Sequence, residues 1–240
     1  MHETACFVTL TYNDENVPHG GTVVKEDLQK FFKRLRKNVG QFRYYACGEY
    51  GDSSNRPHYH AVIFGLDFAF DRKKHSQNDR GDIIYTSQKL SDTWGLGHCL
   101  IGSFNYQTAA YVARYVMKKQ TGKHAMDSDL YSRFDVYGEI FQVRPEFALM
   151  SRNPGLGSTW YEKFKSDAFP SDFLVYKGKK HTVPRYYYDK LQRENKPLQE
   201  KIRIKRSVAR SLVATDNTSD RLAAKRECKL SQISKLSRSL

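Results

Sequence analysis

The 240-residue chain carries 40 Lys and Arg against 26 Asp and Glu, a formal charge of +14. That excess favours polyanionic partners and makes their affinity fall with salt. No run of about 18 apolar residues occurs and no basic–apolar leader opens the chain, so neither a membrane span nor a secretory signal is expected. The four cysteines (Cys6, Cys47, Cys99, Cys228) are scattered and read as reduced thiols.

Phe7–Tyr12 is an apolar strand, with only Met1–Ala5 before it. In Lys25–Val39 the apolar residues Leu28, Phe31, Phe32, Leu35 and Val39 form a helical stripe. Lys30, Lys33, Arg34 and Lys37 line its other side, a surface that faces either DNA or solvent. Gln41–Glu49 is an aromatic-rich strand, and the turn formers Gly51–Asn55 fold it back on a second strand, Arg56–Gly65.

In that second strand His58 and His60 are one residue apart, so they point the same way while Tyr59 points the other. Taken alone, the pair is as readily two half-exposed histidines as a metal clamp. The hairpin adds Glu49, set nearly opposite His58, which alone would read as a solvated strand-end carboxylate. Two imidazoles and a carboxylate together suit Mg²⁺ or Mn²⁺, whereas zinc is disfavoured because no Cys-x-x-Cys pair occurs.

A polar insertion, Asp71–Gly81, then separates this strand from Asp82–Thr86 and a short helix ending near Trp94. His98–Phe104 follows as an edge or adjacent strand, with His98 structural and outside the clamp. Tyr106–Lys119 is a helix. At about 100° per residue, Tyr111, Tyr115 and Lys118 share one stripe, flanked by Gln107 and Arg114. Ala109, Val112, Ala113, Val116 and Met117 form an apolar face opposite. Tyrosines at this spacing are usually core. Here, with an apolar face already complete, they are expected to stay available for chemistry. A phenol, with a pKa of about 10, attacks a phosphodiester only with positive charge close by. The product would be a 5′-phosphotyrosine and a free 3′-hydroxyl, with Lys118 stabilising developing charge. Two tyrosines a helical turn apart would allow cutting followed by rejoining.

Three motifs in order carry a resemblance: Phe7-Val8-Thr9-Leu10-Thr11-Tyr12, His58-Tyr59-His60, and Tyr111 to Tyr115 followed by Lys118-Lys119. They resemble those of the HUH endonuclease superfamily, specifically the two-tyrosine rolling-circle replication initiators of small single-stranded DNA phages, the microviruses and gokushoviruses. Cys47-Gly48-Glu49-Tyr50-Gly51 is similar to the strand that supplies the acidic ligand in related viral initiators. Glu146–Gly157 with Trp160 also resembles a gokushovirus segment, although its chemistry assigns it no role. Relatives carry a cysteine-containing segment ahead of the first motif that this chain lacks.

The resemblance implies a ferredoxin-like, RRM-like α+β palm, with a central antiparallel sheet, helices packed on it and the tyrosine helix crossing near the metal. Expected are a catalytic set of Tyr111, Tyr115 and Lys118, a metal set of His58, His60 and Glu49 with Mg²⁺ or Mn²⁺, and DNA contacts from Arg56, Arg114, Lys119 and Arg152. The partners would be a single-stranded DNA origin, a host helicase and a host DNA polymerase, and the setting the cytoplasm of an infected bacterium. A helicase motor is not expected, because no P-loop occurs.

The endonuclease domain is expected over 1–190. In it, 120–190, with Tyr186-Tyr187-Tyr188, completes the fold or grips DNA, and 191–240 follows as a basic helical or mobile tail. From Lys201 to Leu240 there are 11 Lys and Arg against 3 Asp and Glu. The alternatives are a transposase or relaxase of the same superfamily, and a non-catalytic single-strand-binding module with a similar sheet.

Overall fold

A computed structural model describes residues 1–51, 54–78, 81–118, 131–134 and 137–235; for 114–118 it describes the helix but not the side chains. Two compact units divide the chain, Met1–Leu156 and a second from Gly157 onward. The first is an α+β unit built on a seven-stranded antiparallel sheet. Its strands are β1 (Ala5–Tyr12), β2 (Arg43–Tyr50), β3 (Pro57–Phe64), β4 (Lys73–Gln77), β5 (Ile83–Thr86), β6 (Gly97–Ser103) and β9 (Phe147–Met150). They lie in the order β4-β5-β6-β1-β3-β2-β9. A separate ribbon pairs β7 (Ser132–Phe134) with β8 (Ile140–Gln142).

Strand alternation gives the sheet two different faces. Val8, Leu10, Ala46, Tyr59, Ala61, Ile63 and Ile101 point to one side. They pack against Leu28, Phe31, Phe32 and Leu35 of α1 (Lys25–Val39) and Leu90 and Trp94 of α2 (Gln88–Trp94). Those α1 residues fall at i, i+3, i+4 and i+7, one stripe of a helix. Glu26 and Asp27 in its first turn and Arg36 and Lys37 in its last complement the helix dipole. Ser87 caps α2 by accepting a hydrogen bond from the Leu90 amide at 3.0 Å.

On the opposite face Phe7, Cys47 and Val62 meet Val112 and Tyr111 of α3 (Tyr106–Lys118). Arg34, on the basic side of α1, donates to the carbonyls of Thr93 and Trp94 at 2.9 and 3.0 Å. Because α1 covers the Tyr59 side of the sheet, its lysines lie across the sheet from His58 and His60.

Two expectations about strands need correction. The polar stretch Asp71–Gly81 contains β4, whose five residues are all exposed. Two lysines and a histidine without an apolar face carry no strand signal; pairing with β5 supplies the structure, and charge on an edge strand opposes stray pairing. The His98 strand, β6, is not an edge, because β1 and β5 pair with it on either side. At its start Gly97 (φ 150°) crosses β1 so closely that a Cβ would lie 2.3 Å from the Asn13 nitrogen and the Thr11 carbonyl oxygen.

The second unit comprises α4 (Ser158–Ala168), the hairpin β10 (Phe173–Tyr176) and β11 (Lys179–Thr182), α5 (Arg185–Glu194), α6 (Lys196–Leu212) and α7 (Ser219–Ser234). Its core holds Tyr161, Phe169, Val183, Leu191 and Ile202. Tyr187 stacks on Trp160 with ring centroids 5.2 Å apart, so this tyrosine is a packing residue. Arg206 grips Asp172 through two hydrogen bonds of 2.7 and 2.6 Å, tying α6 to the start of the hairpin. The carboxyl-terminal extension is thus mainly helical and basic, and α7 buries none of its residues. Among the described residues no helix is long and apolar enough to cross a membrane.

Candidate metal centre

The registers of β2, β3 and β1 determine the site. Glu49 pairs with His58, which pairs with Thr11; Cys47 pairs with His60, which pairs with Thr9. His58 and His60 therefore emerge on the α3 side of the sheet, beside Glu49 on the neighbouring strand. Their ligating atoms lie within 4.8 Å of one another. Nε2 of His58 is 3.2 Å from Oε1 of Glu49, and Nε2 of His60 is 2.9 Å from the same oxygen.

The outer nitrogens are held from behind. His58 Nδ1 lies 3.0 Å from the Arg56 carbonyl, which can only accept, so that nitrogen carries the proton. His60 Nδ1 lies 3.0 Å from the hydroxyl of Thr9. In the neutral ring of His58 the Nε2 lone pair then faces the carboxylate. Such backing of the outer nitrogen is what orients imidazoles that bind metals.

Glu49 tests whether a cation fits. It is 1% exposed, and despite the short approaches neither carboxylate oxygen has an aligned hydrogen-bond donor among the described residues. Removing a carboxylate from water costs several kcal/mol unless charge or hydrogen bonds compensate. Burial pushes the Glu49 carboxyl up, but the two imidazoles outweigh it and hold the group below its ordinary range. For His58, burial pulls down, while the Glu49 carboxylate and the Arg56 carbonyl together raise it above its ordinary range. Two nitrogens and an oxygen converging on one dry point suit Mn²⁺ or Mg²⁺, so the residues present fit a divalent cation.

Beside the triad stands Tyr111. Its ring is edge-on to His60 with centroids 5.4 Å apart, and edge-on to Phe7 at 6.1 Å. Phe7 in turn stacks on His60 at 5.2 Å. The expected apolar face of this helix is wrong in phase. Thr108 and Val112 are buried, Tyr111 is half-buried and Ala113 is exposed. Tyr111 thus lies on the sheet-facing side, because its ring fills the space beside Phe7 that an alanine leaves open.

Tyr115, Arg114 and Lys118 belong to α3, but their side chains, and all of Lys119, lie outside the described residues. Arg56 is engaged within the protein: its guanidinium donates to the Tyr12 carbonyl at 3.2 and 2.8 Å and meets Asp14 at 2.8 Å. Arg152 is exposed in the turn after β9. Ser151 bonds to Tyr44, five residues from Glu49 along β2, so Arg152 lies roughly 17 Å from the triad by strand rise.

His98 is exposed on the same sheet face, in the row Glu49–His58–Thr11–His98. Thr9 and Phe7 are the support that reading single motifs missed; their signal was the alternation of β1 in register with the histidine strand. Two other phenols are unsuited to attack: burial pushes Tyr59 up to about 12 and drives Tyr12 higher still, so both stay neutral.

Fold and site define an antiparallel α+β domain of the kind expected for HUH enzymes: a carboxylate and two imidazoles on central strands, with a tyrosine helix laid across them. Comparison with known proteins gives the family. Residues 5–120 match the model of the replication-associated protein ORF2 family, and through this segment the chain belongs to that family. It is 32% identical over 199 residues to the replication-associated protein VP4 of Bdellovibrio phage phiMH2K, covering 79% of this chain and 58% of that protein. It is also 32% identical over 202 residues to the replication-associated protein ORF2 of Spiroplasma virus 4, covering 78% and 58%. Replication-associated protein ORF4 of Chlamydia phage 1 is 27% identical over 205 residues, covering 80% and 47%. The chain thus spans about half the length of the curated relatives it matches. No solved structure matches it at a significant level.

Proposed function

We propose that this chain initiates replication of a single-stranded DNA phage genome by nicking and later rejoining the viral strand at its origin. The observation that carries the reading is the Tyr111 ring set edge-on to His60, whose Nε2 lies 2.9 Å from the buried Glu49 carboxylate. His58, His60 and Glu49 would hold the divalent ion, Mg²⁺ or Mn²⁺, which when bound polarises the scissile phosphate.

Tyr111 or Tyr115 loses its phenolic proton and bonds to phosphorus in line with the departing 3′-oxygen, which takes up a proton. Lys118 is assigned to the negative charge that builds on the phosphate. The ester energy is kept in the 5′-phosphotyrosine, so the free 3′-hydroxyl can reverse the step and close the circle, and a second tyrosine allows the next cut before the first end is released. Arg114, Lys119 and Arg152 are assigned to the DNA backbone. Arg56 has its guanidinium engaged by Tyr12 and Asp14, and is assigned to holding β1 against β3. Unwinding and synthesis fall to a host helicase and DNA polymerase in the cytoplasm of the infected bacterium.

The test is a labelled single-stranded oligonucleotide spanning the viral origin, incubated with Mn²⁺ and resolved on a denaturing gel. A protein–DNA adduct is expected, absent from the Tyr111→Phe, Tyr115→Phe double variant. Persistence of the adduct in that variant rejects the tyrosine assignment.

A further inference from the structure

A cavity of about 250 Å³ opens on the α3 side of the sheet, sharing His60 and Tyr111 with the site above. Phe7 and Leu100 form its floor, and Ile83 and Ile84 one wall. Asn78 and Asp82 stand where the β4–β5 hairpin lines it, tied to each other by the Asp82 amide donating to Asn78 Oδ1 at 2.8 Å and the Asn78 amide donating to the Asp82 carbonyl at 3.0 Å. The volume falls below the roughly 300–1,000 Å³ of sites that enclose drug-sized ligands, so it suits one flat ring system.

We infer that this cavity takes a single unstacked nucleobase of the DNA strand, one flanking the scissile phosphate, and that Asp82 selects a base bearing an exocyclic amine. The inference rests on the nicking reading, since it places the phosphate of that nucleotide at the triad. Three features support it. The lining is mainly apolar and aromatic, the surface on which an unpaired base gains most by leaving water. No Lys or Arg lines it among the described residues, and Asp82 adds negative charge, so a phosphate is disfavoured there. A carboxylate accepts a hydrogen bond from the amine of cytosine and has none to receive from thymine, and the Asn78 amide can pair with the rest of a base edge.

Gly102 provides a clean perturbation. It pairs with Phe7 across β1 and β6, on the cavity face. A Cβ there meets only Phe7, at 3.8 and 4.0 Å, an ordinary contact. Gly102→Leu should therefore fill the floor without straining the backbone, while Asp82→Asn keeps the shape and removes the acceptor.

The experiment uses the full chain and a single-stranded DNA pool of randomised sequence. The pool retained on the protein is sequenced, and adducts formed with Mn²⁺ are captured and sequenced separately. The wild type is expected to show one position biased against thymine by about tenfold, the discrimination typical of a specific base contact. Gly102→Leu should flatten that position alone and Asp82→Asn should let thymine in, with Mn²⁺ binding to both variants unchanged. A bias untouched by both substitutions, or a preference for thymine at that position, overturns the pocket. Retained sequences biased as expected but without any adduct would uphold the pocket and overturn the nicking reading instead.

Discussion

Replacing Glu49 by Gln removes the one charge that draws the two imidazoles together, and its consequence can be followed through metal and pH. A ligand present at a hundred times its Kd stabilises the native state by about 2.7 kcal/mol. For a protein of this size each kcal/mol moves Tm by about 2–4 °C, so saturating Mn²⁺ should raise the wild-type Tm by roughly 5–11 °C. His58 is held above its ordinary 6.5, so its share of stability is complete below 6.5 and lost as pH rises through the folded value. Glu49 is held below its ordinary 4.5, so its share is complete above 4.5 and lost as pH falls through the folded value. The triad thus favours the metal-free protein most between 4.5 and 6.5. Mn²⁺ must displace the proton from His58, so its effect should be small at about pH 5.5 and full at about pH 8. The assay is thermal unfolding at both pH values, with and without Mn²⁺, on wild type and Glu49→Gln. The variant should lose the Mn²⁺ shift. An equal shift in Glu49→Gln, or one independent of pH, refutes the triad as a cation site.

Thr9→Val preserves shape but removes the hydroxyl 3.0 Å from His60 Nδ1; Mn²⁺ affinity by titration calorimetry should fall about 10–100-fold. Tyr59→Phe deletes a buried phenol that accepts from the Val24 amide and donates to its carbonyl, each at 2.9 Å. Urea unfolding should report a loss of about 1–3 kcal/mol, and a smaller one would show that the phenol is dispensable to the core. His58→Ala should abolish adduct formation yet keep a wild-type salt slope for DNA retention on filters, because that affinity rests on Lys and Arg. Loss of both activities in a folded variant would show that metal and DNA grip are one function.

The sheet was legible where its strands are half-buried and alternate, as in β1 and β3, and where a helix repeats every three to four residues, as in α1. It was opaque at β4, because an exposed edge strand buries nothing and so needs no apolar period. The division of the chain after Leu156 was equally hidden, since the small core around Tyr161 and Ile202 draws its residues from four separated segments. Strand order also depends on pairings distant in sequence. Nothing local says that the His98 strand inserts between β1 and β5 and puts His98 in line with His58.

The site was partly readable because its grouping is a consequence of alternation and one hairpin: residues 58 and 60 must share a face, and a short turn brings residue 49 alongside. The phase of α3 was misread for a physical reason. Sequence periodicity sorts residues by polarity, and tyrosine is amphipathic, with a ring that packs and a hydroxyl that stays wet. Counting alanines as core placed the tyrosines outside, but a sheet face bearing Phe7 and His60 offers an aromatic surface that a methyl group cannot fill. The helix therefore turns Tyr111 inward, and the half-buried position that makes it look like packing is also what brings its phenol within reach of the imidazole pair.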